Sequence, residues 1–183
     1  DLADRMRLFR SHGVARNSNK MDKRPVDEIW NYQQIALGFN YRMTDLQAAL
    51  GVSQMARLDD FVSKRHQIAK RYNEELAGLD LQLPWQHTDS YSSYHLYPIR
   101  IKSNQTQLDQ RQVYAAFQSA GINVNLHYIP VYRQPFYEDM GFKAGYCEEA
   151  ERYFNETISI PIFSSLSDQS QNQVINELKK ILT

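Results

Sequence analysis

Residues 38–72 read GFNYRMTDLQAALGVSQMARLDDFVSKRHQIAKRY, and within them Gly38-Phe39-Asn40-Tyr41-Arg42-Met43 sets a polar, glycine-led loop against the helix start Thr44-Asp45-Leu46-Gln47. Thr44 followed three residues later by Gln47 has the form of a capping box. The N–H groups just inside Thr44 then belong to a helix N-terminus carrying partial positive charge. Asn40, an amide that can donate, and Arg42, a guanidinium that can fork onto phosphate oxygens, stand just ahead of it. These residue types make a candidate phosphate or carboxylate site. The plainer alternative has Arg42 as a surface ion-pair partner and Asn40 as a turn residue.

Outward from this stretch the pattern divides the chain into residues 1–43, 44–78 and 79–183. The first part opens on a short helix and runs into the polar stretch Asn17-Ser18-Asn19-Lys20-Met21-Asp22-Lys23-Arg24-Pro25, which reads as an exposed loop. The second is expected to be one long helix from 45 to about 76, because Leu46, Ala49, Leu50, Leu58, Phe61, Val62, Ile68 and Tyr72 recur at three- and four-residue steps. Gly51 inside it costs about 1 kcal/mol relative to alanine, so a close helix or backbone contact is expected there in compensation. Ala77-Gly78 closes the helix.

The third part alternates strand and helix signals, as a compact α/β domain does. Strands are expected at 94–101, 122–127 and 158–160, and helices at 108–119, 147–156 and 171–182. His95 then lies in mid-strand, where a packed structural role is the expectation. His127 ends a strand beside Tyr128 and Pro130, where a chain held by proline can present a ligand-binding side chain. A histidine satisfied by a backbone carbonyl is the competing reading.

Composition narrows the function classes. The 21 basic and 21 acidic residues cancel, so no charge field recruits nucleic acid or a membrane surface. The single Cys147 excludes an intramolecular disulfide framework and a cysteine-only metal site, and fits a reducing, cytoplasmic compartment. No apolar run reaches the roughly 18 residues of a spanning helix. His12, His66, His87, His95 and His127 show no pair at ligand spacing, so no metal is expected. Neither Gly-x-Ser-x-Gly nor Gly-x-Gly-x-x-Gly occurs, which argues against a serine hydrolase of that type and a dinucleotide fold. Twelve tyrosines suit a ring-lined groove, a core or an interface.

The wording of residues 38–72 resembles the DegT/DnrJ-type sugar-nucleotide aminotransferases. Further matches follow in the family's order: Leu8-Phe9-Arg10-Ser11-His12-Gly13, Tyr94-His95-Leu96-Tyr97, Leu126-His127-Tyr128-Ile129-Pro130-Val131, Gln134-Pro135-Phe136-Tyr137 and Ile158-Ser159-Ile160-Pro161-Ile162-Phe163. His127-Tyr128-Ile129-Pro130, Gly141-Phe142-Lys143 and Ala150-Glu151-Arg152-Tyr153 look most like the branch that aminates a UDP-linked 4-keto-6-deoxy-N-acetylhexosamine on the way to pseudaminic acid.

The resemblance implies the C-terminal part of a fold-type-I pyridoxal phosphate (PLP) aminotransferase: an α/β chain holding the tail of the PLP-binding large domain, a long connecting helix and a small α/β domain. It implies amino transfer from glutamate to the C4 ketone of a nucleotide-linked keto-deoxy sugar, in a homodimer. The lysine that carries the cofactor is expected upstream of Asp1, so no catalytic residue is assigned here and the chain alone is expected to be inactive. Asn40 and Arg42 are implied to hold the phosphate of the partner subunit's PLP, and His127, Tyr128 and Tyr41 to bind substrate. The alternatives are a lysine-lacking regulator or sugar dehydratase of the same fold, or a non-catalytic oligomerisation or ligand-binding module.

Overall fold

The chain divides into two units, Asp1–Ala56 and Arg57–Thr183, in a computed structural model that describes residues 1–21, 30–102 and 108–183. In the first unit, α1 (Leu2–Phe9) starts at Asp1, whose carboxylate accepts the Ala3 N–H at 2.8 Å, satisfying one orphan donor of the first turn. After α1 the backbone reverses through His12 and Gly13, with φ of 61° and 70°. β1 (Val14–Ala15) then pairs antiparallel with β2 (Gln33–Gln34). Of the polar stretch expected to be loop, Ser18–Lys20 form a 3₁₀ turn, and residues 22–25 lie outside the described residues.

Two glycines let the loop at 38–42 dock on this reversal. A Cβ on Gly13 would lie 1.8 Å from the Ala36 carbonyl oxygen, and one on Gly38 would lie 2.3 Å from the Gly13 nitrogen. With neither present, the Phe39 N–H donates to the Phe9 carbonyl at 2.6 Å, His12 to Phe39 at 2.8 Å and Tyr41 to Arg10 at 2.9 Å. Ser11 and Asn40 face each other in an antiparallel bridge. The Leu8–Gly13 and Gly38–Arg42 motifs, separated by some 25 residues in sequence, form one backbone structure.

The capping box forms as expected. α2 (Asp45–Met55) begins with Gln47 N–H donating to Thr44 Oγ1 at 3.3 Å and Thr44 N–H to Gln47 Oε1 at 2.9 Å. The long helix, however, is two helices. α2 ends at Ala56, and Arg57 (φ −112°, ψ 7°) leaves the helical region before α3 (Leu58–Leu76) starts afresh. Alanine and arginine are both strong helix formers, so propensity does not mark the break. Asp59 and Asp60 do, because carboxylates in a first turn favour a new N-terminus. The contact expected at Gly51 is also absent among the described residues: beyond its chain neighbours and the adjoining backbone of its own helix, no atom lies within 4 Å of where its Cβ would stand. No residue of α2 is buried.

The second unit takes in α3, which the three-part reading set apart as a connector. Ile68, Ala69, Tyr72 and Leu76 of α3 share one core with β3 (Tyr97–Arg100), α4 (Gln110–Ser119), β4 (Thr157–Ile160) and α7 (Asp168–Leu182). β3 and β4 pair antiparallel, with Tyr97 opposite Ile160 and Arg100 opposite Thr157. Single bridges at Gln82–Arg100 and Asn125–Ser159 extend the sheet on either side, which leaves β4 buried at every position. Val113 and Phe117 of α4 and Val174, Ile175 and Leu178 of α7 bury the stripes their spacing foretells. Two buried amides join elements without leaving an unpaired group. Gln110 donates to the carbonyls of Phe154 and Thr157 at 2.9 and 2.8 Å, and Gln171 donates to that of Ile68 at 2.9 Å.

Two strand expectations shorten. Residues 122–127 hold only the Asn125 bridge. The strand expected at 94–101 starts at Tyr97 because Tyr94, with φ of 45°, turns the chain out of the extended region. His95 is therefore outside the strand and exposed, and the packed role expected for it does not hold.

Candidate functional site

The guanidinium at the head of α2 is held in place. Arg42 Nε donates to Asn40 Oδ1 at 3.0 Å, and Asn40 is itself fixed by the bridge to Ser11. Arg42 lines a cavity of about 520 Å³ together with Arg7, Arg16, Ser11, His12 and Tyr32. Of the three guanidiniums, Arg7 shares its charge with Asp4 at 3.1 Å. Arg16 and Arg42 have no ion-pair partner among the described residues. Such a cluster attracts a doubly charged oxyanion and can bind it by charge-assisted hydrogen bonds.

The sequence sets Asn40 and Arg42 just ahead of a helix N-terminus whose partial positive charge is expected to assist them. In the structure the capping box already occupies the Gln47 N–H, and Asp45 adds a carboxylate to the first turn. The charge therefore comes from side chains more than from the helix. Arg7, Arg16, His12 and Tyr32 were not singled out. The one signal that could have found them is the Arg10-Ser11-His12-Gly13 turn, whose glycine at positive φ marks a close backbone approach. Tyr41 is 74% exposed and stacks on Phe39 with ring centroids 4.9 Å apart.

His127 lies in the second unit and lines a separate cavity of about 500 Å³ with Tyr114, Gln118, Asn123, Asn125 and Ser159. Its Nδ1 and the Ser159 hydroxyl share a hydrogen bond of 2.9 Å, so its partner is a side chain and not the backbone carbonyl of the competing reading. Tyr128 is exposed and meets the His127 ring edge-on at 4.7 Å.

A third feature in the same unit is the loop at 140–147, which surrounds a cavity of about 480 Å³ between α5 (Pro135–Asp139) and α6 (Glu148–Glu156) in the chain. Glu151 of α6 ties it down. Its Oε1 accepts from the Gly145 N–H at 2.7 Å, stands 3.0 Å from the Tyr132 hydroxyl and lies 3.6 Å from Arg133 Nη1. These contacts, the Gly145 N–H foremost, hold the Glu151 carboxyl below the usual glutamate range. A depressed folded-state pKa stabilises the loop above the ordinary glutamate value of about 4.3, and that stabilisation is lost as pH falls through the lower folded value. The Gly145 amide resonance is expected to move as the pH falls through that lower folded-state value, and the Glu151→Gln protein to lack this titration. An NMR pH titration in which both proteins behave alike would contradict the account.

Among the described residues no group of three or more His, Cys, Asp or Glu is placed to hold a metal ion. Nor, among those residues, is any helix long and apolar enough to cross a membrane.

The spore coat polysaccharide biosynthesis protein SpsC of Bacillus subtilis is 30% identical over 187 residues, covering 100% of this chain and 47% of SpsC. The UDP-4-amino-4,6-dideoxy-N-acetyl-beta-L-altrosamine transaminase of Campylobacter jejuni is 28% identical over 187 residues, covering 100% of this chain and 46% of its own. Helicobacter pylori PseC, an aminotransferase involved in the biosynthesis of pseudoaminic acid, superposes with a TM-score of 0.83 at 25% identity, covering 99% of this chain and 46% of its own. The chain thus spans about half the length of the curated relatives it matches. The likeness confirms the α/β fold of the C-terminal part of an aminotransferase of this kind. A model of the DegT/DnrJ/EryC1/StrS aminotransferase family matches residues 1–179, and the chain belongs to that family.

Proposed function

We propose that this chain is the C-terminal part of a PLP-dependent sugar-nucleotide aminotransferase that works as a cytoplasmic homodimer. In this reading it moves an amino group from glutamate to the C4 ketone of a UDP-linked 4-keto-6-deoxy-N-acetylhexosamine on a route to pseudaminic acid. The observation that carries the reading is the cavity where Arg42, oriented by Asn40, stands with Arg7 and Arg16. That donor set fits a phosphate monoester or diphosphate. The relatives' printed activities supply the sugar nucleotide, and the exposed thiol of Cys147 suits a reducing compartment.

When bound, PLP supplies the electron sink for the carbanion formed during amino transfer. This chain's own residues bind and orient. Arg42 and Asn40 hold the phosphate of the cofactor seated in the partner subunit. Tyr41, exposed beside them, offers a hydroxyl to the substrate. His127 and Tyr128 hold the nucleotide sugar. In domain terms, residues 1–43 belong to the large domain, 44–78 connect, and 79–183 form the small domain, with α3 packed onto it.

The test uses the complete enzyme. His127→Ala is expected to raise the KM for the keto sugar nucleotide roughly tenfold, the loss of about one hydrogen bond. The glutamate half-reaction, which involves no nucleotide, should keep its rate. Exposed His95 is expected to be neutral to both half-reactions and to the melting temperature. If His127→Ala lowers the melting temperature and leaves sugar-nucleotide kinetics unchanged, the assignment of His127 is wrong.

A further inference from the structure

We propose that Ser159 is the positioning residue for His127, fixing one ring nitrogen so that the other serves the uncharged part of the substrate. The inference rests on the substrate role proposed for His127. Ser159 lies at the centre of β4, only 6% exposed, between Ile158 and Ile160, whose side chains belong to the core. At such a strand position an aliphatic residue packs well, and a buried hydroxyl costs stability unless it is hydrogen-bonded. Among the described residues the only partner of this hydroxyl is His127 Nδ1 at 2.9 Å.

The backbone makes the contact reproducible. The Asn125 N–H donates to the Ser159 carbonyl at 3.2 Å and the Ser159 N–H to the Asn125 carbonyl at 2.8 Å. His127 follows this bridge by two residues, so the paired backbones hold its ring within reach of the Ser159 hydroxyl. With Nδ1 engaged by Ser159, Nε2 is the ring nitrogen left for a ligand, and no described residue satisfies it. Whichever atom of the Ser159–His127 pair donates, the ring orientation is the same.

The cavity around His127 indicates what Nε2 meets. Tyr114, Gln118, Asn123 and Asn125 contribute a ring and three amides, and none of the lining side chains carries a fixed charge. Amides of this kind pair with hydroxyl and acetamido groups, which both donate and accept. The cavity containing Arg7, Arg16 and Arg42 is the opposite kind of surface, rich in cations. The His127 cavity therefore suits an uncharged group rich in hydroxyls and amides, which in the substrate proposed above is the hexose ring with its acetamido group.

The experiment uses the complete, cofactor-loaded enzyme and a pair of substitutions that fill the same volume, Ser159→Thr and Ser159→Val. The probes are UDP-N-acetylglucosamine and UDP, with dissociation constants from calorimetry, and the keto sugar nucleotide for kinetics. Ser159→Thr keeps the hydroxyl and should bind UDP-N-acetylglucosamine as the parent does. Ser159→Val should weaken that binding roughly three- to tenfold and raise the KM for the keto sugar by a similar factor, leaving kcat and the UDP dissociation constant unchanged. On a His127→Ala background the valine substitution should add nothing, because Ser159 acts through the ring.

Equal binding by the threonine and valine variants, while His127→Ala weakens binding, overturns the role of Ser159 and leaves that of His127 intact. Independent, additive losses overturn it as well. If His127→Ala itself binds both probes as the parent does, the substrate role of His127 falls, and the inference falls with it. Should the valine variant melt early, the comparison with threonine at equal volume separates lost packing from the lost hydroxyl.

Discussion

Gly13→Ala is expected to unseat the loop that carries Asn40 and Arg42. The added methyl would sit 1.8 Å from the Ala36 carbonyl oxygen and 2.6 Å from its carbon, and the residue would have to hold φ near 70°. Both atoms belong to backbone, so no side-chain rotation relieves the overlap. The Ile35 and Ala36 N–H groups, which donate to the Gly13 carbonyl at 2.9 and 3.3 Å, would separate from it. Overpacking and a strained φ together cost on the order of 3 kcal/mol or more, enough to open this part of the Asp1–Ala56 unit. Gly51→Ala provides the contrast. Beyond the adjoining backbone of its own helix the added methyl meets no described atom within 4 Å, and alanine replaces a poor helix former, so the change is expected to be neutral or stabilising by up to about 1 kcal/mol. Thermal melts of the two variants decide the matter: similar melting temperatures would show that the close approach at Gly13 is not what holds the loop.

The second large effect concerns Arg42 in the complete enzyme. If its guanidinium holds the partner's cofactor phosphate, Arg42→Ala removes charge-assisted contacts and should weaken cofactor retention by about 1.5–3 kcal/mol, or roughly ten- to 150-fold. Asn40→Ala should cost less, because Asn40 mainly orients Arg42 through the 3.0 Å bond to Nε. Mixed dimers test the direction of the contact. Combine Arg42→Ala with loss of the cofactor lysine, placing the two lesions either in one chain or in opposite chains. A contact in trans leaves one intact site when the lesions are split, since the chain that keeps its lysine receives Arg42 from its neighbour. With both lesions in one chain, one site lacks its lysine and the other lacks Arg42. A contact within one chain reverses the two results, and equal activity in both arrangements would contradict any role for Arg42 at the phosphate.

The parts of the site that sequence reading found are those encoded by neighbours in the chain. Thr44 and Gln47 are three residues apart, and their capping box is a local exchange of two hydrogen bonds, so it forms as read. Asn40 and Arg42 are two residues apart and do meet. The apolar stripes of α4 and α7 follow from helical period alone, and so does the burial of Val113, Phe117, Val174 and Leu178. Resemblance of motifs added the family, which no local period encodes.

What remained hidden depends on chain closure. Arg7 and Arg16 join Arg42 only because Gly13 and Gly38 bring two distant backbones into contact, and the need for that contact is invisible until both segments are placed. The pairing of His127 with Ser159 spans 32 residues and needs the Asn125–Ser159 bridge to set its register. The break at Ala56–Arg57 escaped notice because both residues favour helix, and the apolar steps continue across it. The exposure of His95 is decided by a single positive φ at Tyr94, a conformation that tyrosine takes only when its surroundings impose it. In this chain, sequence alone determined the caps, the stripes and the candidate anion residues, because their energies arise within a turn or two of helix. Tertiary structure decided which cations share a cavity and which histidine has a buried partner, because those contacts exist only after distant segments have paired.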